Sequence, residues 1–554
     1  MDSPVDRSRH QQIAAALTLF FPLLCLGLGV LLPFVQLGVA FTRVIGSGWA
    51  EHLHYSYLLM IVRFTLWQAS VSTLVTVIAA FVLALICARN RFRGKILLLS
   101  LGQIPFFLPS IVVSLAFIQV YGQHGFINRL LGVLGVEEPL AFLYNPWAII
   151  AAHVFFNLSF LARSLVVAWA GIPEEQRYWG RVLGLSAWQR FRLVDWVYLR
   201  RPLLNGALLV FVLCLNSFAI VMVLGGGIRS TTAEVGIYQF LHGEFDLPQA
   251  LVLAVVQLLL TLLASCFYSL ASFSARPNAS PLAAVGGREE NLPLLAKDPQ
   301  GIALRILLLI YGLFLYLPLL ALLMDGLASC FSSSFSLGAL GELLWPSLLN
   351  SLLISGLSSL CSCLLGLSTA VGIFHLGQCV PRLSVLVDRA IYLLMGISPV
   401  ALSLGYYLFW RDLLDLQQWA LAIIISIHSI AAIPLVLKTL LPVVLQLKAR
   451  NRCFELTLGI SYWQGFLHIE LPQLLPIFMV ALSSSFALSL GGIAIVAMFS
   501  QAGVETIPLT IYGLMGVYRY EEAAVICLAL IVVLVLMGIG QERIFKRQLA
   551  PKYR

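Results

Sequence analysis

The chain has 554 residues, 60% of them hydrophobic and only 11% charged, with a mean hydropathy of +0.95 and a formal net charge of +9. Soluble domains carry roughly 25% charged residues, so this composition excludes a soluble enzyme built around an outsized core. Its basic excess collects in a few short segments between apolar runs, which leaves a nucleic-acid partner without support.

Crossing a bilayer takes about 20 apolar residues, and such runs recur along the whole chain. Spans are expected near residues 13–41, 57–88, 98–121, 147–171, 203–225, 249–273, 303–324, 346–376, 385–410, 417–446, 473–500 and 523–541. The first run, "IAAALTLFFPLLCLGLGVLLPFVQLGVAF" from Ile13, is too long for a secretory h-region and lacks a small-residue cleavage site. It reads as a retained helix, with the chain starting near Met1.

Basic residues set the orientation, because Lys and Arg are retained on the cytoplasmic side. With an inner N-terminus, 26 of the 34 fall in inner segments, among them "RNRFRGK" from Arg89, the stretch Arg177 to Arg201 and the tail "QERIFKRQLAPKYR". Five fall in outer loops (Arg43, Arg129, Arg229, Arg411 and Arg519) and three, Arg63, Arg163 and Lys438, in spans. Both termini are therefore expected inside.

The fourth span opens a repeat. "LGLSAWQRF" (Leu183 to Phe191) returns 275 residues later as "LGISYWQGF" (Leu458 to Phe466). At the same offset His153 falls on His428, Arg163 on Lys438, and the "AIV" of Ala219 to Val221 on that of Ala494 to Val496. Six spans per half is an even number, so the copies enter the membrane in the same direction, as a parallel repeat. The fold expected is an all-α polytopic membrane protein of about twelve helices in two parallel six-helix repeats. Its parts are residues 1–55 (tail, first helix, outer loop), 56–273 (first repeat), 274–302 (Pro, Gly and Ser-rich linker), 303–345 (extra helix and outer loop), 346–541 (second repeat) and 542–554 (basic tail).

Each repeated motif lies in an inner segment that mixes arginines with Trp179, Trp188, Phe191 and Trp196 in the first copy. Aromatic residues beside Arg serve either as interfacial anchors or as a docking surface for a soluble partner. Gly, Ser, Trp and Gln kept in one register twice favour docking. Gly184 and Gly459 would permit a positive φ and a turn between two short helices.

Other candidates give less. Arg163 and Lys438 stand toward the inner ends of their helices, where long side chains snorkel, and fit a structural or gating role. His153 and His428 are the only catalytic candidates, in equivalent helices with no carboxylate nearby in sequence, and read as hydrogen-bonded packing. Cys361 and Cys363 form a lone C-x-C without metal-site spacing. Gly225, Gly226 and Gly227 fit close helix approach, a mobile outer gate or a simple loop cap. All 25 acids can be placed in loops or at span ends, 13 outside and 12 inside, which argues against ion coupling through intramembrane carboxylates.

"CFELTLGISYWQGFLHIELP" resembles the EAA loop of the permease subunits of bacterial ABC importers, with Gly459 followed after nine residues by Ile469, Glu470, Leu471 and Pro472. The first copy departs: Tyr178, Trp179 and Gly180 replace the opening triplet, whose acid survives in the second copy as Glu455, and Val194 to Val197 replace the closing Ile-x-Leu-Pro. The resemblance implies a type I importer permease fold. It also implies two coupling loops (Gly184, Ser186, Trp188 and Phe191; Glu455, Gly459, Ser461, Trp463, Phe466 and Pro472) seated on two copies of a cytoplasmic ATPase. No G-x-x-x-x-G-K-[ST] occurs in the chain, so ATP would be bound by that partner and no cofactor by this subunit.

Over nearly its full length the chain resembles fused permeases of thiamine and thiamine-pyrophosphate importers, through "VRFTLWQAS", "VYGQHGF", "AHVFFNL", "IPEEQR", "WVYLRRP", "VLGGG" and "TTAEVGIYQFL". Fused ferric-iron permeases share the architecture and remain the alternative. The resemblance implies a periplasmic substrate-binding protein, the bacterial inner membrane, and transport rather than enzymatic activity.

Overall fold

A computed structural model describes residues 4–46, 54–92, 94–273, 292–293, 299–331, 337–458 and 462–549. Among these, eleven helices are long and apolar enough to cross a membrane. The helix pair Pro381–Gly396 and Pro399–Trp410, bent by 92°, makes a twelfth where the two count as one broken span. The chain is a multi-pass helical membrane protein. Among the described residues the only strand pairing is a two-residue parallel match of Asn90–Arg91 with Leu292–Pro293. Most of the linker expected at 274–302 lies outside the described residues.

Four expected spans are not single helices, and the breaks come in matched pairs. The third is interrupted at Leu108, which is extended ahead of Pro109 before the Ser110–Tyr121 helix begins. The ninth bends where Ile397 and Ser398 turn extended ahead of Pro399. A residue preceding proline is driven out of the α region by the ring, so both breaks have one cause. The fifth span stops at Leu215 and resumes as Ala219–Leu224; the eleventh stops at Leu490 and resumes, after Gly491 and Gly492, as Ile493–Met498.

The helices group into two compact units that do not follow the two sequence halves. One comprises residues 54–236 and 260–325, the other residues 1–53, 237–259 and 326–554. In the second unit the leading helix packs on the later core: a Cβ on Gly29 would meet Ile430 Cδ1 at 2.3 Å, and one on Gly405 would meet Pro33 at 2.8 Å. In the first unit the core gathers Leu83, Leu161, Leu165, Trp169 and Leu199, all buried. Phe20, Phe21 and Leu31 are more than 60% exposed, as suits a lipid-facing surface.

Each unit is stitched by hydroxyl groups on one long helix. In Tyr55–Arg89, buried Thr65 accepts from the Ala233 N–H (2.9 Å) and Ser72 Oγ meets His153 Nδ1 (3.1 Å). In Leu337–Cys379, Ser351 accepts from the Ile507 N–H (2.8 Å), Ser358 bonds Ser489 (2.8 Å) and Ser362 bonds Ser485 (2.7 Å). Small residues let helices approach closely, and their hydroxyls find partners where water is absent. Thr65 and Ser351 are thus structural counterparts: each receives the first backbone N–H of a short helix. His428 is buried, as His153 is, and a Cβ on Gly492 would stand 2.3 Å from its Cε1.

Candidate coupling site

The first of the two repeated loops is built by local rules. The helix Glu174–Val182 begins with two acids in its first turn, where they complement the positive end of the helix dipole. It ends at Gly184, whose φ of +64° is a conformation that L side chains rarely adopt. Ser186 then caps the next helix: its side chain accepts from the Gln189 N–H (3.3 Å) while Gln189 Oε1 accepts from the Ser186 N–H (2.9 Å). Ser186 and Gln189 therefore have a structural explanation as a capping box, where the sequence reading attributed them to docking. In the second copy Gly459 and Ser461 lie outside the described residues, and Glu455 and Trp463 are described only as helical.

What local structure does not use is the apolar surface. Trp188 is 68% exposed, Leu183 71% and Leu193 60%, with Tyr178, Trp179 and Val182 also exposed. Phe191 is half-buried, anchoring the loop against Phe81 (6.0 Å) and carrying Trp188 on its other side (5.6 Å). Phe191 thus ties the loop to Phe81 while the apolar residues around it stay exposed.

In both copies the loop leaves through a single turn of π-helix, Phe191–Asp195 and Phe466–Glu470, before the next span begins at Trp196 and Leu471. Pro472 lies in the first turn of that second span. Each π turn ends on an acid paired with a cation. Asp195 lies 3.7 Å from Arg89, which also sits over the Trp169 ring at 5.9 Å. Glu470 accepts from Lys448 Nζ at 2.8 Å, both side chains being almost wholly buried, with the ammonium near the rings of Phe374 (5.7 Å) and Phe466 (5.8 Å). These two pairs were missed in the sequence reading, although equivalent acids inside a basic segment were their signal.

The remaining candidates are scattered. Arg163 and Lys438 are exposed on their helices. Gly226 has a φ of +67°, and a Cβ there would lie 1.8 Å from the Tyr144 carbonyl oxygen, so this glycine meets the need for close backbone approach. Cys361 is exposed and Cys363 buried, so the C-x-C points two ways. Glu234 lies between spans, in the first turn of the short helix Ala233–His242, and is nevertheless fully buried. A helix N-terminus lowers the cost of burying such a carboxylate.

Residues 80–276 match the family described as binding-protein-dependent transport system inner membrane component. The chain is 32% identical to the thiamine transport system permease protein of Escherichia coli (strain K12), over 88% of this chain and 89% of that one. It is 31% identical to the protein of that name from Haemophilus influenzae, over 86% and 87% of the two chains. A sulfate permease of the Chlamydomonas reinhardtii chloroplast matches more locally, at 29% identity over 42% of this chain. The chain belongs to the family of binding-protein-dependent transport system inner membrane components, and is a permease subunit rather than an enzyme.

Proposed function

We propose that the chain is the permease through which an ATP-driven importer moves thiamine and its phosphates into the cytoplasm. The observation that carries this reading is the similarity to thiamine permeases along 88% of the chain, well beyond the coupling loops that importers of many substrates share. A preponderance of acids over bases in the expected outer loops agrees with a cationic cargo. So does the buried carboxylate of Glu234. The partners are two copies of an ATPase, one for each loop, and a periplasmic binding protein.

Supplied with its ATPase and binding protein, the chain should restore uptake of labelled thiamine to cells lacking thiamine synthesis and this permease, and only while ATP is available. Uptake of ferric iron without any thiamine form would reject the vitamin and keep the importer. The family supports the bacterial inner membrane, and the distribution of basic residues supports inward termini. In a cysteine-free background, a cysteine at exposed Glu244 should react with an impermeant thiol reagent in intact cells, whereas one at exposed Arg192 should not. Labelling of Arg192 but not of Glu244 from outside would reverse the orientation.

A further inference from the structure

Behind the first coupling loop lies a cavity of about 220 Å³. Arg89, Arg177 and Arg190 line it, with Trp169, Val194 and a single acid, Asp195. That acid is already engaged with Arg89 at 3.7 Å. Arg177 gives one amino group to the Trp169 carbonyl, while its buried Nε meets no acceptor. Three guanidinium groups around one carboxylate leave the void with an excess of two positive charges and an unmet donor. All three arginines are half-buried, so the cavity is reachable and yet partly shielded from screening.

The second copy of the repeat lacks this cluster. Its coupling loop carries Gly465 where the first has Arg190, and the hydroxyl-bearing helix carries His375 where the first has Arg89, in the register that pairs Thr65 with Ser351. Of the three positions only that of Arg177 keeps its charge, as Arg452, and the acid that answers Asp195, Glu470, takes its cation from Lys448 instead. A feature needed to dock an ATPase would be required under both loops. The arginines serve something that the first loop has and the second lacks.

We infer that the cavity binds a phosphate group. Guanidinium forks match phosphate oxygens two at a time, and several such forks around one void make an oxyanion site in which lysine would be a poorer substitute. Pockets for drug-sized ligands run from roughly 300 to 1,000 Å³. This one is smaller, so it takes a phosphate or diphosphate end and leaves any larger remainder outside. A phospholipid headgroup at the inner face of the membrane and a soluble phosphate ester of the cytoplasm share this chemistry; both sources rest on the inward orientation proposed above. Occupancy would neutralise the arginines beneath Trp188 and Phe191 and stiffen the first coupling loop alone.

The test uses the full chain without its ATPase, so that no nucleotide site interferes. In neutral-lipid nanodiscs, inorganic pyrophosphate should bind saturably. Arg177→Gln with Arg190→Gln should weaken it at least about tenfold, the scale of losing charge-assisted bonds. Arg452→Gln in the other copy should leave it unchanged. In parallel, chain extracted from native membranes is weighed intact. A retained anionic phospholipid, lost in the double variant, identifies the lipid source; pyrophosphate binding with no retained lipid identifies the soluble one. Should the double variant fail to insert, Arg177→Lys, which keeps the charge and loses the fork, should still bind pyrophosphate more weakly than the wild type. If neither pyrophosphate nor lipid distinguishes the variants from the wild type, or if the variants lose only ATPase association, the phosphate site is rejected. Since neither measurement involves thiamine, failure here is separate from failure of the proposed cargo.

Discussion

Glu470→Ala should abolish coupled transport and lower the thermal stability of the purified chain by a margin that Asp195→Ala does not approach. Removing one member of a buried pair leaves its partner charged in a medium that cannot solvate it, at a cost of about 3–5 kcal/mol. Lys448 and Glu470 meet that description, at 2.8 Å with side-chain exposures of 5% and 3%. Arg89 and Asp195 do not, being 3.7 Å apart and 35% and 14% exposed, so solvent screening reduces their pair to about 1 kcal/mol or less. Lys448→Met added to Glu470→Ala should recover much of the stability, because the stranded charge is then gone. It should not recover transport if the ion pair fixes the direction in which the loop leaves the π turn. Equal melting shifts for the two alanine variants would refute this account of the second loop, and full transport by the double variant would reduce the pair to packing.

Much of this architecture was legible because a bilayer enforces a coarse code. Twelve apolar runs and the collar of basic residues are hard constraints, and the structure places a span or a bent pair at each run. The repeat was legible only from His153 onward, where the offset is constant. Upstream of it the first half carries the helix Phe126–Val133 and its loop, for which there is no room between Trp410 and Leu416. That insertion shifts the register and hid the kinship of Thr65 with Ser351, which shows itself only as a shared hydrogen bond.

Breaks inside spans were less legible, since apolar content does not report backbone direction, although Pro109 and Pro399 stood as markers. The candidate coupling loops stood out by their repetition, yet repetition did not separate residues that shape the loop from those that it presents. Gly184 is explained by its positive φ and Ser186 with Gln189 by the capping box. Once these are set aside, the repeated tryptophan is what local geometry leaves without a reason. Pairing of Glu470 with Lys448 joins elements 22 residues apart and followed from no periodicity.

Trp188→Ala should separate docking from anchoring. The ring is 68% exposed and rests on Phe191 at 5.6 Å, so its loss opens no cavity, and the folded chain should change in stability by about 0.5 kcal/mol or less. If the ring fills a groove on the ATPase, truncation should cost about 2–4 kcal/mol of association, typical of an aromatic hot spot. That corresponds to roughly 30- to 800-fold weaker binding of the ATPase to the detergent-solubilised chain. Trp345 is 62% exposed on an apolar span well away in sequence from either loop, and Trp345→Ala should leave that affinity unchanged. An interfacial anchor behaves in the opposite way, because its contribution comes from the headgroup region and disappears in detergent along with the bilayer. Under that reading Trp188→Ala would bind the ATPase as tightly as wild type and differ from it only within a membrane. Affinity within twofold of wild type for Trp188→Ala would therefore assign the exposed aromatic patch to the lipid surface and move the docking contact elsewhere on the loop.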